Sequence, residues 1–250
     1  MKCRYVCVMD VGPRSGQEDC ILVENRVFQE ESLTKNASYE SDVLLLAVCD
    51  GMGGHDAGEE ASRFVCDRLN DMGARVDFSG NGLLSLIHGI QNRSVDELPR
   101  GSGTTLAGIL VKDGRVLVFN AGDSRVYRIG TKDITCVSRD HSLVQDLVDK
   151  GLIDEDDAFS HPYRNVVNFG IGPAFIKAVN RYDLHIFEED ILGRAVYLVC
   201  SDGVSDIIRE KEILESLKSD PVGDVAALVR ALRKNRLKDN TSFIIAEIIQ

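Results

Sequence analysis

Apolar residues in this chain come in short dense runs, and two spacings alternate along it. The runs Leu44–Cys49, Thr104–Val111, Arg115–Asn120, Val196–Ser201 and Ser242–Ile249 are four to eight residues long and rich in Val, Ile and Leu, the signature of buried strands. Residues 1 to 9 alternate weakly and predict a first strand, and Cys20–Phe28 predicts a second. Lys112-Asp113-Gly114 is a hairpin turn between two runs, and a second short turn separates Arg125–Ile129 from Ile134–Val137. Hairpins in succession predict antiparallel sheets rather than a series of parallel crossovers. Helical spacing appears over Glu59–Met72 (Ala61, Phe64, Val65, Leu69) and Asn81–Leu98 (Leu83, Leu84, Ile87, Ile90), which would pair as an antiparallel hairpin. Shorter helices are predicted over Leu143–Gly151, Lys211–Lys218 and Val222–Leu237. Gln29–Asp42 reads as a polar excursion, and Asp154–Ala174 as polar and irregular. No repeat or linker divides residues 1–250, so the expectation is one α+β domain with sheets at the centre and helices outside.

Composition narrows the setting. The chain has 250 residues, 44% apolar and 28% charged, values ordinary for a globular protein. A net charge of −11 speaks against nucleic acid as a partner and suits a cation-binding acidic cleft. The seven cysteines are odd in number and form no C-x-x-C pair, which predicts reduced, buried thiols in a cytoplasmic protein. Met1–Asp10 does not resemble a signal peptide. The longest apolar run, Val43–Cys49, is far shorter than the roughly 20 residues of a membrane helix.

Four strand runs meet an acidic residue at a turn: Asp50, Asp123, Asp202 and Asp239. Any one of them alone reads as a turn residue. Brought together they would make a concentration of negative charge that needs cations, and carboxylates suit Mg²⁺ or Mn²⁺. Other chemistries find little footing. No G-x-G-x-x-G or P-loop is completed, the five histidines have no i+4 pairing, no cysteines stand at zinc-finger spacing, and no G-x-S-x-G elbow occurs.

The pieces also stand in a telling order. Gly12-x-Arg14-x-x-Gln17-Glu18-Asp19 is followed by Asp50-Gly51-Met52-Gly53-Gly54-His55, Gly101-Ser102-Gly103-Thr104-Thr105 and Asn120-Ala121-Gly122-Asp123-Ser124-Arg125. Asp140-His141-Ser142-Leu143, Ser201-Asp202-Gly203 and Asp239-Asn240-Thr241 complete the series. It resembles the metal-dependent serine/threonine protein phosphatases of type 2C in their compact bacterial form, over essentially the whole chain. The resemblance implies a sandwich of two antiparallel β-sheets flanked by pairs of antiparallel helices. It implies two Mn²⁺ or Mg²⁺ ions with a weaker third. Asp50 would bridge two ions and Gly51 would offer its carbonyl to one. Asp202 and Asp239 would hold the other. Glu18 would reach an ion through water, Asp19 would stand behind the ligands, and Asp123 would serve the third position. Arg14 would grip the substrate phosphate while water, activated by the ions, attacks phosphorus directly. The partners implied are phosphorylated proteins and an opposing serine/threonine kinase, with a cytoplasmic monomer as the acting form.

The chain departs from the family at several points. Gln17 stands where Asn is usual, Met52 where many eukaryotic members have a histidine, and Asn165–Gly172 replaces a more usual Thr-Arg-Ala-Leu stretch. A mobile flap is expected from about Leu143 to Ala174. His55 reads as a structural histidine of the glycine-rich loop. Two alternatives stay open on sequence alone: a phosphatase of small phosphorylated metabolites, and a non-catalytic relative that binds phosphoproteins.

Overall fold

The structure, a computed structural model, describes residues 1–53, 57–72, 77–180, 182–217 and 220–250. His55 lies outside the described residues. Two antiparallel sheets form the centre. The first has the order β10-β9-β12-β13-β1-β4 and the second β11-β8-β7-β5-β2-β3, with the short β6 added to β5. The first sheet takes β1 (Lys2–Asp10), β4 (Ser32–Glu40), β9 (Arg125–Ile129), β10 (Ile134–Cys136), β12 (Arg194–Cys200) and β13 (Thr241–Ile249). The second takes β2 (Asp19–Val23), β3 (Arg26–Phe28), β5 (Val43–Met52), β7 (Leu106–Lys112), β8 (Arg115–Ala121) and β11 (His185–Asp190); β6 is Gly103–Thr104.

Alternation along the strands assigns three apolar layers. Tyr5, Cys7 and Met9 of β1, Leu44, Leu46 and Val48 of β5, and Ile244 and Ala246 of β13 meet between the sheets. The other faces are covered by helices, because central strands with apolar residues on both sides must bury both. Leu69 of α1 (Ala57–Met72) and Leu83, Ile87 and Ile90 of α2 (Gly80–Glu97) pack with Leu22, Leu110 and Phe119 over the second sheet. Leu228 and Leu232 of α7 (Val225–Lys234) and Ile213 of α6 (Glu210–Ser216) cover Val6, Leu198 and Phe243 of the first. The predicted α+β sandwich is therefore the observed architecture. No described helix is long and apolar enough to cross a membrane.

Three sequence expectations are corrected. Gln29–Asp42 is not an excursion: it contains β4, a nine-residue edge strand paired with β1 along its whole length. Its alternating burial turns Leu33, Ala37 and Tyr39 toward the inter-sheet core, with Lys35 on the same face paired to Glu24, while Ser32, Thr34, Asn36, Ser38 and Glu40 are exposed. Cys20–Phe28 is not one strand but a hairpin, turned at Glu24 and Asn25, both with positive φ. Asp154–Ala174 is not wholly irregular, since it holds α4 (Glu155–Ser160), capped by the Asp154 side chain, and a 3-10 turn at Pro173–Phe175. The predicted turn at Asp113-Gly114 and the stop of α3 (Leu143–Asp149) at Gly151 are observed, each with the positive φ such positions need.

Leu46 is fully buried between the sheets whereas Leu192 is 90% exposed. Leu46→Ala is expected to destabilise the fold by about 2–5 kcal/mol, against less than about 0.5 kcal/mol for Leu192→Ala, in urea unfolding monitored by circular dichroism.

Candidate metal centre

The strand-end acids gather at one end of the sandwich. Asp50 lies within the last turn-ward residues of β5, directly across from Asp19 at the start of β2. Asp202 opens the short helix α5 (Asp202–Ser205) just after β12. Asp239 precedes β13 by two residues, and Asp123 follows β8 by two. Their electrostatic coupling shows the grouping. Burial first, then the charges of Asp19, Asp202 and Asp123, raise Asp50 well above the usual carboxylate range. Burial, then Asp202, Asp140 and Asp206, do the same to Asp123. Asp202 is pushed up to about 6 by burial, Asp206 and Asp239. Asp19 rises to about 7, chiefly by burial, with Asp202 and Asp239 adding to it.

The surrounding bonds hold these side chains in place. Asp50 is braced by two threonines: its N–H donates to Thr105 Oγ1 at 3.0 Å, and its carbonyl accepts from Thr104 Oγ1 and from Thr105 N–H, both at 2.9 Å. Thr105 Oγ1 and Ser124 Oγ share a hydrogen bond of 2.6 Å, which links β5 to the Asp123 turn. Ser201 donates from Oγ to Asp19 Oδ2 at 2.9 Å and so ties the Asp202 turn to β2. Gly51 N–H donates to the Glu18 carbonyl at 3.1 Å, and Glu18 N–H donates to Asn240 Oδ1 at 2.8 Å. Arg14 donates to Asp239 Oδ2 at 2.5 Å from a half-exposed position on the rim.

The motif around Asp123 is clamped to the Asp140 segment. Arg125 makes a forked ion pair with Asp140, 2.7–3.0 Å long. Asn120 donates to the Arg139 carbonyl, and Gly122 N–H donates to His141 Nδ1 at 3.2 Å. His141 Nε2 in turn meets the Asp183 carbonyl at 2.9 Å. Both ring contacts are satisfied by a neutral imidazole protonated on Nε2, and burial lowers its pKa in the same sense.

The donor set suits a hard cation. Oδ1 of Asp202 and Oδ1 of Asp19 are buried with no hydrogen-bond partner among the described residues. Such orphaned carboxylate oxygens are costly unless a cation meets them. Among the described residues no three acidic, histidine or cysteine side chains stand ready-made around one point as a cage. Mutual repulsion opposes that convergence, and Asp239 turns to Arg14 instead. Asp50, Asp202 and Asp123 are thus brought to one region, with Asp239 and Glu18 at its edge. Gly51 has a further reason to be glycine: a Cβ there would lie 2.1 Å from the Gly58 carbonyl oxygen at the start of α1.

Sequence reasoning missed Asp206, Ser201 and Asn240. Asp206 stands four residues after Asp202 and so on the same side of the α5 segment, a spacing that could have exposed it. It pairs with Arg164 at 3.1 Å. Gln17 occupies its unusual position without disturbing the acids: Oε1 accepts from Asp19 N–H and Nε2 donates to the Glu30 carbonyl. A cleft of about 890 Å³ opens beside Asp123 and Asp202, lined in part by Gln145, Phe159 and Arg164 of the segment expected to form a flap.

Comparison with known proteins places these features in context. No family model matches the chain. It is 31% identical over 220 residues to the serine/threonine protein phosphatase PstP of Mycobacterium tuberculosis, covering 82% of this chain but only 40% of that protein's length. It is 31% identical over 194 residues to the protein phosphatase PhpP of Streptococcus pneumoniae, covering 72% of this chain and 75% of PhpP. The crystal structure of the PstP catalytic domain in complex with two manganese ions superposes with a TM-score of 0.76 at 25% identity, covering 100% of this chain and 99% of that one.

The neutral, buried His141 sets an acid limit on stability. The unfolded imidazole gains a proton as pH falls below about 6.5, whereas the folded one, with its lowered pKa, gains it only at lower pH. The unfolded state therefore binds more protons in that window, and stability drops as pH falls through it. His141→Gln should remove that increment, so the difference in unfolding free energy between wild type and variant should shrink below pH about 6.5 in urea titrations.

Proposed function

The chain belongs to the type 2C family of metal-dependent serine/threonine protein phosphatases, and from that membership we propose that it hydrolyses phosphoserine and phosphothreonine on proteins with a binuclear Mn²⁺ or Mg²⁺ centre. The observation that carries this is the orphaned Asp202 oxygen amid mutually repelling buried carboxylates, with a half-exposed guanidinium on the rim. Residues 1–250 act as one catalytic domain. Asp50 would be shared by the two ions, with the carbonyl of Gly51 as a further ligand to one of them. Asp202 and Asp239 would hold the other, Glu18 would act on an ion through water, and Asp123 would serve a weaker third. When bound, such ions acidify water and offset the charge of the phosphoryl group.

The protein's own groups do the rest. Thr104 and Thr105 fix the backbone of Asp50, so that its carboxylate does not follow the ions. Ser201 holds Asp19 behind the ligands, where its charge strengthens the pull on cations. Arg14 offers planar N–H donors to the phosphate oxygens and offsets charge that grows in the transition state. No side-chain nucleophile is needed. Six of the seven cysteines are buried and none is in a disulfide; Cys136 is exposed, contrary to the expectation of buried thiols.

The large cleft beside Asp123 supports a polypeptide substrate over a small metabolite. Phosphoproteins made by a serine/threonine kinase are the substrate class, and unpaired thiols support a cytoplasmic setting. In this reading the acting form is a monomer.

Phosphate release from a phosphothreonine peptide is expected to require Mn²⁺, to stop in excess EDTA and to return when Mn²⁺ is restored. Asp202→Asn should lower kcat/KM by roughly 100-fold or more while leaving the circular dichroism spectrum unchanged. Full activity of Asp202→Asn, or activity indifferent to EDTA, would overturn the assignment.

A further inference from the structure

Asn240 touches the loop carrying Arg14 on both sides of it. It is only 4% exposed, and its carboxamide is fully used. Nδ2 donates to the Val11 carbonyl at 2.9 Å and to the Gly16 carbonyl at 3.0 Å. Oδ1 accepts from Glu18 N–H at 2.8 Å. Val11 also accepts from Arg14 N–H at 3.3 Å, so the turn that presents Arg14 shares its anchor with Asn240. A second contact, independent of this side chain, docks the same loop. Gly12 has φ +60°, and a Cβ on it would lie 2.5 Å from the Asp239 carbonyl oxygen, so the loop rests directly on the backbone before β13.

We propose that Asn240 is a positioning residue that fixes Arg14 relative to Asp239 and so sets where the substrate phosphate is gripped. The inference rests on the phosphatase reading above and adds to it the device that joins its phosphate-binding and acid-bearing parts. Arg14 needs such a device. Its side chain is half-exposed and, among the described residues, its ion-pair partner is Asp239, so packing does not hold it. Its aim is then set by its backbone, and a displacement of about 1 Å at a substrate-gripping group can cost about 100-fold. Asn240 is suited to the task because its neighbour in sequence is itself one of the acids: Asn240 N–H donates to Asp239 Oδ1 at 2.8 Å. One peptide unit thus fixes an acidic side chain and, through the carboxamide, the loop that bears Arg14.

Asn240→Asp separates this role from general packing. It keeps the shape and the Oδ1 acceptor for Glu18 N–H, but sets a carboxylate oxygen against the carbonyls of Val11 and Gly16. With Mn²⁺ present, KM for an aryl phosphate should rise about tenfold, while Mn²⁺ affinity by calorimetry should be no weaker than in wild type. In an Arg14→Ala background the same substitution should change KM by less than about twofold, because the group it positions is gone. Asn240→Ala, which removes all three contacts without adding charge, is the second variant and should raise KM at least as much. Hydrogen exchange without metal gives a reading apart from catalysis: amides of residues 11–18 should exchange faster in both variants. Unchanged exchange in that segment, or an equal KM rise with and without Arg14, would overturn the proposal. Failure of wild type to bind Mn²⁺ would instead overturn the phosphatase reading, with hydrogen exchange still deciding whether Asn240 anchors the loop.

Discussion

Everything at the functional end of this molecule follows from the repulsion among buried carboxylates. Two unit charges about 4 Å apart in an effective dielectric near 20 interact by about 4 kcal/mol, and a whole domain is stable by only about 5–15 kcal/mol. Asp19, Asp50, Asp123 and Asp202 each have a pKa raised by burial and by neighbouring carboxylates. Several such repulsions would consume the stability of the fold if all four ionised with no countercharge. The protein therefore either holds protons there or holds cations, and near neutral pH cations are the better solution. Arg14 is a partial answer, since one half-exposed guanidinium reaches Asp239 but leaves the oxygens of Asp19 and Asp202 unmet.

The sandwich is what makes this repulsion sustainable. Asp19 and Asp50 face each other across paired strands of one sheet, while Asp202 and Asp239 come from the ends of β12 and β13 in the other. Neither sheet carries the whole set, so the site exists only where the two ends meet. The inter-sheet core behind it, from Leu46 and Val48 to Ile244, provides the burial that holds the ends together. Threonine and serine hydroxyls then fix the backbone, because they bond without adding charge to a region already overloaded with it.

Much of this was legible in the sequence, and the misses have a physical pattern. The apolar runs of β5, β7, β12 and β13 declare themselves because both their faces are buried, and the acids are visible as the points where those runs stop. β4 does not declare itself. Only one of its faces is covered, by Leu33, Ala37 and Tyr39, and the polar residues between them make the average composition that of a loop. β11 is an edge strand with charged Glu188, Glu189 and Asp190, and is hidden for the same reason. The missed site residues share another trait. Ser201 acts on Asp19 from 182 positions away and Asn240 on Glu18 from 222. Local spacing carries no trace of such contacts, whereas Asp206, a near neighbour of Asp202, could have been found by helical spacing.

Those long separations have a consequence of their own. β1 pairs with β13 over its full length, setting Asp10 opposite Thr241. The Arg14 loop leaves from the end of β1, and Asp239 and Asn240 lie just before β13. The Arg14 loop and the last acids are therefore adjacent only because the two most distant parts of the chain are neighbouring strands in the middle of a sheet. A contact of such sequence separation forms at a high entropic cost and is supported only once the surrounding sheet is in place. Local structure in the helices or hairpins cannot assemble the site in advance, so its integrity reports on the whole fold rather than on any one element.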